Sequence, residues 1–248
     1  LGLVGSEMCI RDSMLTEELQ QYTAQYLMDT YSRSPMNIMR GKGCKVYDAE
    51  GREYVDFVAG IAVNILGHGN PDLIAAIERQ TRQVIHTSNL YYSAPQARLA
   101  QQLVNLSFGQ KVFFCNSGAE ANEAAIKLVR KYSTKKFGAE RFEIITMHNS
   151  FHGRTLATLT ATGQPKIHHG FAPLPAGFKY ATLNELDSVK SQISKHTAAI
   201  LVEPVQGEGG VVVADHNFMQ QLREISSRNR ILFLLVRRGD RQLMIQIR

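Results

Sequence analysis

No uninterrupted apolar run in the 248-residue sequence approaches the ~18 to 20 residues that a membrane-spanning helix needs, so that class is excluded. Cysteine is scarce. Cys9, Cys44 and Cys115 are odd in number, widely spaced and form no C-x-x-C pair. Neither a disulfide framework nor a zinc site follows, and a reducing compartment, the cytoplasm, is the natural expectation. The eight histidines contain no H-E-x-x-H. His148 and His152 have helical spacing, but Asn149, Ser150 and Gly153 predict a loop there and no third ligand is apparent, so no metal is expected. A P-loop and a G-x-G-x-x-G turn are also missing, which removes the commonest nucleotide-binding signatures.

What is present is an ordinary globular composition. Hydrophobic residues make up 44% and charged residues 20%, enough to bury a core and too apolar for a disordered chain. The balance of 28 Lys and Arg against 22 Asp and Glu, +6, raises nucleic-acid binding as a function class. Arg237, Arg238, Arg241 and Arg248 against Asp240 place +3 of that surplus in the last dozen residues. Elsewhere the charges are interspersed, with no basic stripe carrying aromatics. Solvated faces explain this better than a phosphate-backbone footprint, and neither nucleic acid nor membrane is an expected partner.

The two ends differ from the body. Residues 1–13 (LGLVGSEMCIRDS) are broken by Glu7 and Arg11 and do not form a secretory signal. We read them as a non-native leader of the kind a translated sequencing adaptor leaves, with Met14 as the natural start. At the other end Ile231 to Leu235 (ILFLL) is a buried-strand run, whereas 236–248 (VRRGDRQLMIQIR) sets arginines directly against it. Codons compatible with Arg237 to Asp240 spell Asp-Glu-Val when read one base over, which suggests a shifted frame. Ending the sheet after Leu235 predicts uncovered apolar strand faces and an unpaired edge.

The body alternates strand and helix. Lys45 to Asp48 and Glu53 to Phe57 flank the turn signal Ala49-Glu50-Gly51, predicting a hairpin. Asn70-Pro71 opens a helix with an apolar stripe of Leu73, Ile74, Ile77 and Val84, and a second helix runs from Pro95 through Leu106. Strands are expected at Val112 to Cys115, Ile144 to Met147, Ala198 to Val202 and Ile231 to Leu235, with helices at Gly118 to Tyr132 and Phe218 to Ser227 between them. The stretch Thr162 to Ala181 reads as an irregular excursion. Apolar β runs separated by amphipathic helices imply a largely parallel α/β sheet, in which ligands collect at the carboxyl ends of the strands.

Three such ends carry chemistry. Asn116 to Asn122 (NSGAEAN) enters a helix. Gly118 and Ala119 would let backbone N–H groups approach an anion, while Ser117 and Glu120 form an S-x-x-E capping box that satisfies the same end without a ligand. Ser150 to Thr155 (SFHGRT) offers an aromatic face at Phe151 and a guanidinium fork at Arg154, or simply a packed and an exposed residue. Glu203 ends a buried strand, where a carboxylate must be paired or used, and the glycines up to Gly210 keep the backbone close to whatever binds. Together they suit a ligand with a phosphate, an aromatic ring and a carboxylate.

At this point the sequence resembles the class III, fold-type I pyridoxal-phosphate aminotransferases. The residues that carry the resemblance are NSGAEANEAAIKLVRKY (Asn116 to Tyr132), SFHGRTLATLTATGQPK (Ser150 to Lys166) and VEPVQGEGG (Val202 to Gly210). FVAGIAVNILGH (Phe57 to His68) and HTSNLYY (His86 to Tyr92) are similar to the acetylornithine branch of that family. The resemblance implies an α/β fold: an incomplete large domain with a mostly parallel sheet flanked by helices, plus an N-terminal segment of the small domain. The segments would be 14–70 with the hairpin, 71–235 as the truncated large domain and 236–248 as a tail. It implies pyridoxal 5′-phosphate held by Ser117, Gly118, Ala119, Phe151 and His152, and substrate held by Arg154, Glu203 and Glu208. Ser88 and Asn89 would reach a neighbouring subunit of a homodimer. The reaction implied is amino transfer from N-acetylornithine to 2-oxoglutarate in arginine biosynthesis, with ornithine, succinylornithine or 4-aminobutyrate as alternative donors. The sequence departs from the pattern in two places. Val236 to Gly239 stand where the family has Asp-Glu-Val-Gln, and no lysine lies in a context like that of the Schiff-base lysine. An inactive chain, or a non-catalytic cofactor-binding one, is therefore expected.

Overall fold

The structure is a computed structural model, and it describes residues 16–236 and the strand 243–246. The expectations for the leader 1–13 and for the rest of the tail lie outside the described residues. Two compact units divide between Tyr91 and Tyr92.

In the first unit, helix α1 (Thr16–Tyr26) precedes a three-stranded antiparallel sheet of β1 (Ile38–Lys42), β2 (Lys45–Asp48) and β3 (Glu53–Val55), in that order. The predicted hairpin is β2–β3, and Gly51 supplies the positive φ (81°) that its turn requires. Strand β1 was not foreseen, because IMRGK carries no alternation to mark it. The hairpin is held by a polar staple. The buried Asp48 carboxylate accepts from Arg52 N at 2.8 Å, Arg52 Nε at 2.6 Å and the Tyr54 hydroxyl at 2.8 Å. Burial pushes this carboxyl up, but the three donors outweigh it and hold it at about 2. Asp56 makes a second staple, accepting from Val58 N, Ala59 N and His68 Nε2. The chain then makes a left-handed turn at Ala59, Gly60, Ile61 and Ala62, with φ of 47°, 64°, 61° and 59°. Three of these residues carry a Cβ, each disfavoured there by roughly 1–2 kcal/mol. Helix α2 (Pro71–Gln83) starts at its predicted cap, with Asn70 Oδ1 accepting from Leu73 N at 3.0 Å. Its stripe of Leu73, Ile74 and Ile77 is nevertheless exposed.

The second unit begins with α3 (Ala94–Asn105), followed by an extended run at Val112 to Cys115 that joins no sheet. The strand expected there is a correction: its composition fits an extended chain, but a strand exists only where a neighbour supplies the ladder. Then follow α4 (Gly118–Phe137), β4 (Glu143–Met147), α5 (Leu156–Ala161), α6 (Pro165–His168) and β5 (Phe178–Ala181). After these come α7 (Leu186–Gln192), β6 (Thr197–Val202), the short ribbon β7 (Val205–Gln206) and β8 (Val212–Val213), α8 (His216–Arg228), β9 (Leu232–Val236) and β10 (Leu243–Gln246). Strand β5 corrects the reading of 162–181 as wholly irregular. It pairs with β4 at an edge, where Lys179 can ion-pair with Glu143 at 2.8 Å.

The sheet order is β10-β9-β6-β4-β5, parallel at every pairing except β9–β10. The edge expected to be unpaired after Leu235 is thus covered by β10, whose Leu243 stands opposite Val236. Alternation then distributes the core over both faces, so the strand faces expected to be uncovered are packed. Ile145, Met147, Ile200, Val202 and Phe233 pack against Val189, Phe218 and Leu222 of α7 and α8. Ile144, Ala199, Leu201, Leu232 and Leu234 pack against Ile126 and Val129 of α4. This three-layer α/β arrangement directs the carboxyl ends of β4, β6 and β9 to one rim.

Candidate functional site

At the N-terminus of α4 the capping reading is seen directly. Ser117 caps the helix, its Oγ accepting from Glu120 N at 3.1 Å and its carbonyl from Ala121 N at 3.0 Å. The Glu120 carboxylate reaches back past the cap to Asn116 N at 2.6 Å. These bonds leave the N–H groups of Gly118 and Ala119 out of the cap. A Cβ built on Gly118 would meet nothing within 4 Å, so the approach is open. Two backbone donors stand at the positive end of a 20-residue helix, the geometry an anion would need.

The loop after β4 is drawn against this helix end. Gly153 has φ +133°, and a Cβ there would meet Thr158 Oγ1 at 2.6 Å and Ala119 Cβ at 2.8 Å. Only glycine lets the aromatic loop come this close to the start of α4. Phe151 is half-buried and Arg154 is exposed just before α5. His152 is different: its side chain is 2% exposed, and burial pushes its imidazole down to about 3. Among the described residues neither ring nitrogen has a hydrogen-bond partner, so it stands neutral beneath the rim.

The loop after β6 interlocks with the same rim. Glu203 is 1% exposed, and its Oε2 accepts from Phe151 N at 3.0 Å. Gln206 donates from Nε2 to the His148 carbonyl at 2.9 Å, and Gly209 packs so closely on Asn149 that a Cβ would lie 2.4 Å from its carbonyl oxygen. Glu208 projects beyond them and is exposed. Beside it opens a cleft of about 390 Å³ lined by Asn149, Gln164, Pro165, Lys166, Glu208 and Gly209.

Tertiary structure therefore gathers Ser117, Gly118, Ala119, Phe151 and Arg154 around one rim, with Glu208 on the adjoining cleft. It places His152 and Glu203 underneath. Ser88, with φ 62°, and Asn89 belong to the first unit. Sequence reading missed the supports. Asn122, Thr162 and Gln164 bind the main chain of the aromatic loop, and only the density of threonines in TLATLTAT hinted at them. Among the described residues no group of three or more His, Cys, Asp or Glu is gathered as a metal would need, and no described helix is long and apolar enough to cross a membrane.

Comparison with known proteins places the chain in a family. Residues 26–235 match the family described as aminotransferase class-III. A protein named acetylornithine aminotransferase from Caldanaerobacter subterraneus subsp. tengcongensis is 52% identical over 214 residues, 86% of this chain and 54% of its own length. One of the same name from Methanocaldococcus jannaschii is 50% identical over 210 residues, 85% of this chain and 53% of its own. The crystal structure of the ornithine aminotransferase from Toxoplasma gondii aligns with a TM-score of 0.86 at 27% identity, covering 93% of this chain and 56% of that one. That of acetylornithine aminotransferase from Elizabethkingia anophelis aligns with a TM-score of 0.72 at 30% identity, covering 90% and 53%. The chain spans about half the length of the relatives it matches. With its parallel sheet, its glycine-opened helix end and a family match across most of its length, the chain belongs to the class-III aminotransferases.

Proposed function

We propose that this chain represents the cofactor-binding portion of an enzyme that transfers the amino group of N-acetylornithine to 2-oxoglutarate, as a cytoplasmic homodimer serving arginine biosynthesis. The observation that carries the reading is the close packing of Gly153, in the Phe151 loop, on Ala119, beside the open helix start at Gly118. It stands in a chain 52% identical to a protein named acetylornithine aminotransferase.

Class-III membership implies pyridoxal 5′-phosphate as the cofactor. The residues present fit it: an open pair of backbone donors for the phosphate, and next to it an aromatic side chain for a flat ring. When bound, this group supplies an electron-withdrawing ring that accommodates negative charge at the amine-bearing carbon. Gly118 and Ala119 hold the phosphate through N–H groups, with Ser117 fixing the helix end. Phe151 presents a face to the ring, and His152 supports it from below. Arg154 forks onto a substrate carboxylate. Glu208 orients cationic groups at the mouth of the cleft. The exposed Phe57, Val58, Ile61, Ile65 and Leu66 support association with a second copy, since a contiguous apolar run of this length is unusual in a lone surface. The 248-residue chain does not turn over by itself, because none of its family-like motifs carries the lysine that family chemistry needs.

The test is a set of amino-donor assays on the chain and on an intact class-III relative carrying the same motifs. The relative should prefer N-acetylornithine, and the chain should bind pyridoxal phosphate without turnover. Preference for ornithine would favour the second reading, to which the likeness to the Toxoplasma enzyme points. Preference for succinylornithine or 4-aminobutyrate would also displace the first.

A further inference from the structure

The loop that presents Phe151 owes its shape to side chains around it. Ser150 O accepts from Gln164 Nε2 at 3.0 Å, His152 N donates to Thr162 Oγ1 at 2.9 Å, and His152 O accepts from Asn122 Nδ2 at 2.8 Å. The Phe151 N–H itself donates to Glu203 Oε2 at 3.0 Å. Glu203 is the one ionisable side chain among these four partners. It stands one residue past β6, on the neighbouring strand to β4, and is 1% exposed. The other three partners hold the main chain of Ser150 and His152 on either side, so this bond is the one that acts on the Phe151 backbone directly and sets the height and tilt of its ring.

We propose that Glu203 is a positioning residue: it acts by holding the Phe151 main chain, and thereby the aromatic platform, and does not contact substrate. This differs from the substrate-binding role that the family resemblance suggests, and it rests on the cofactor reading above.

The test uses the 248-residue chain and two ligands, inorganic phosphate and 4′-deoxypyridoxine 5′-phosphate. The second carries ring and phosphate but no aldehyde, so surface lysines cannot capture it. Glu203→Met keeps the length of the side chain and removes the acceptor, whereas Glu203→Gln keeps an acceptor without the charge; Glu203→Ala replaces the methionine variant if that fails to fold. The methionine variant should bind the ring ligand about tenfold more weakly or worse, as expected for a displaced binding group. Its phosphate affinity should stay within about twofold, and the glutamine variant should recover most of the ring affinity. Exchange of the Phe151 amide hydrogen should quicken in the methionine variant alone. In a Phe151→Ala background the same substitution should add no further loss.

Unchanged ring affinity in Glu203→Met would overturn the proposal. So would a glutamine variant as weak as the methionine one, which would show that the charge itself meets the ligand. Equal loss of phosphate binding would reveal general loosening and would also overturn it. If the parent chain binds the ring ligand no better than phosphate, the cofactor reading itself fails and takes this inference with it.

Discussion

The two units are stabilised by different means. The second buries side chains on both faces of its sheet, and every strand of its parallel core contributes residues with almost no exposure. In the first, the buried side chains among the described residues are polar, Asn37 and Asp48, while Leu73, Ile74, Ile77, Phe57 and Ile65 face outward. Its shape rests on the carboxylates of Asp48 and Asp56 closing loops over a few residues. Such solvent-screened hydrogen bonds contribute less than a fully buried aliphatic side chain, which contributes about 1.5–3 kcal/mol. The comparison teaches that apolar periodicity locates a helix but does not supply the surface that will cover it.

The sharpest way to break this comparison is to cut equivalent aliphatic groups in each unit. Leu222→Ala, at a fully buried position, should lower stability by about 2–5 kcal/mol, and Leu73→Ala, 46% exposed, by no more than about 0.5 kcal/mol in urea titrations. Similar losses at both sites would mean that the first unit owns a core of its own. Next in size, Gly153→Ala should cost about 1–3 kcal/mol, because its Cβ would collide with Thr158 and Ala119 at a strained φ. It should also weaken phosphate binding, which titration calorimetry would read.

The acid limb separates the units further. His152 has an ordinary value of 6.5 and a folded value of about 3, so below 6.5 the unfolded chain binds the proton and the folded chain does not. Stability of the second unit should therefore fall by roughly 1.4 kcal/mol per pH unit as pH drops from 6.5 toward 3, and level off below. His152→Leu should flatten that slope; an unchanged slope would assign it to another group. Asp48 works over a lower window. Its folded value of about 2 against 3.8 means its contribution is complete above 3.8 and lost as pH falls toward 2. Asp48→Asn should speed amide exchange in the β2–β3 hairpin while leaving β6 protected. Smallest of all, Lys190→Ala removes an exposed pair with Asp187 and should change the melt by less than about 0.5 kcal/mol.

Much of the rim was legible from local chemistry. The cap at Ser117, the helix it starts and the carboxylate closing β6 all follow from neighbours in sequence, where one residue's donors meet another's acceptors within a turn. Gly153 was visible as a glycine, but its reason was not, since the collision it avoids involves Ala119, thirty-four positions earlier. The same holds for Phe151 and Glu203, joined across fifty-two positions.

By itself the sequence determined the alternation of strand and helix, the hairpin turn at Gly51, the helix start at Asn70 and the residue types available at the rim, because these depend on backbone preferences and on side chains a few positions apart. Tertiary structure alone decided that Val112 to Cys115 would go unpaired, that Phe178 to Ala181 would become an edge strand, and that His152 and Glu203 would lie beneath the platform rather than on it. Pairing and burial are properties of whichever surfaces meet, and no stretch of chain carries its neighbour's surface within it.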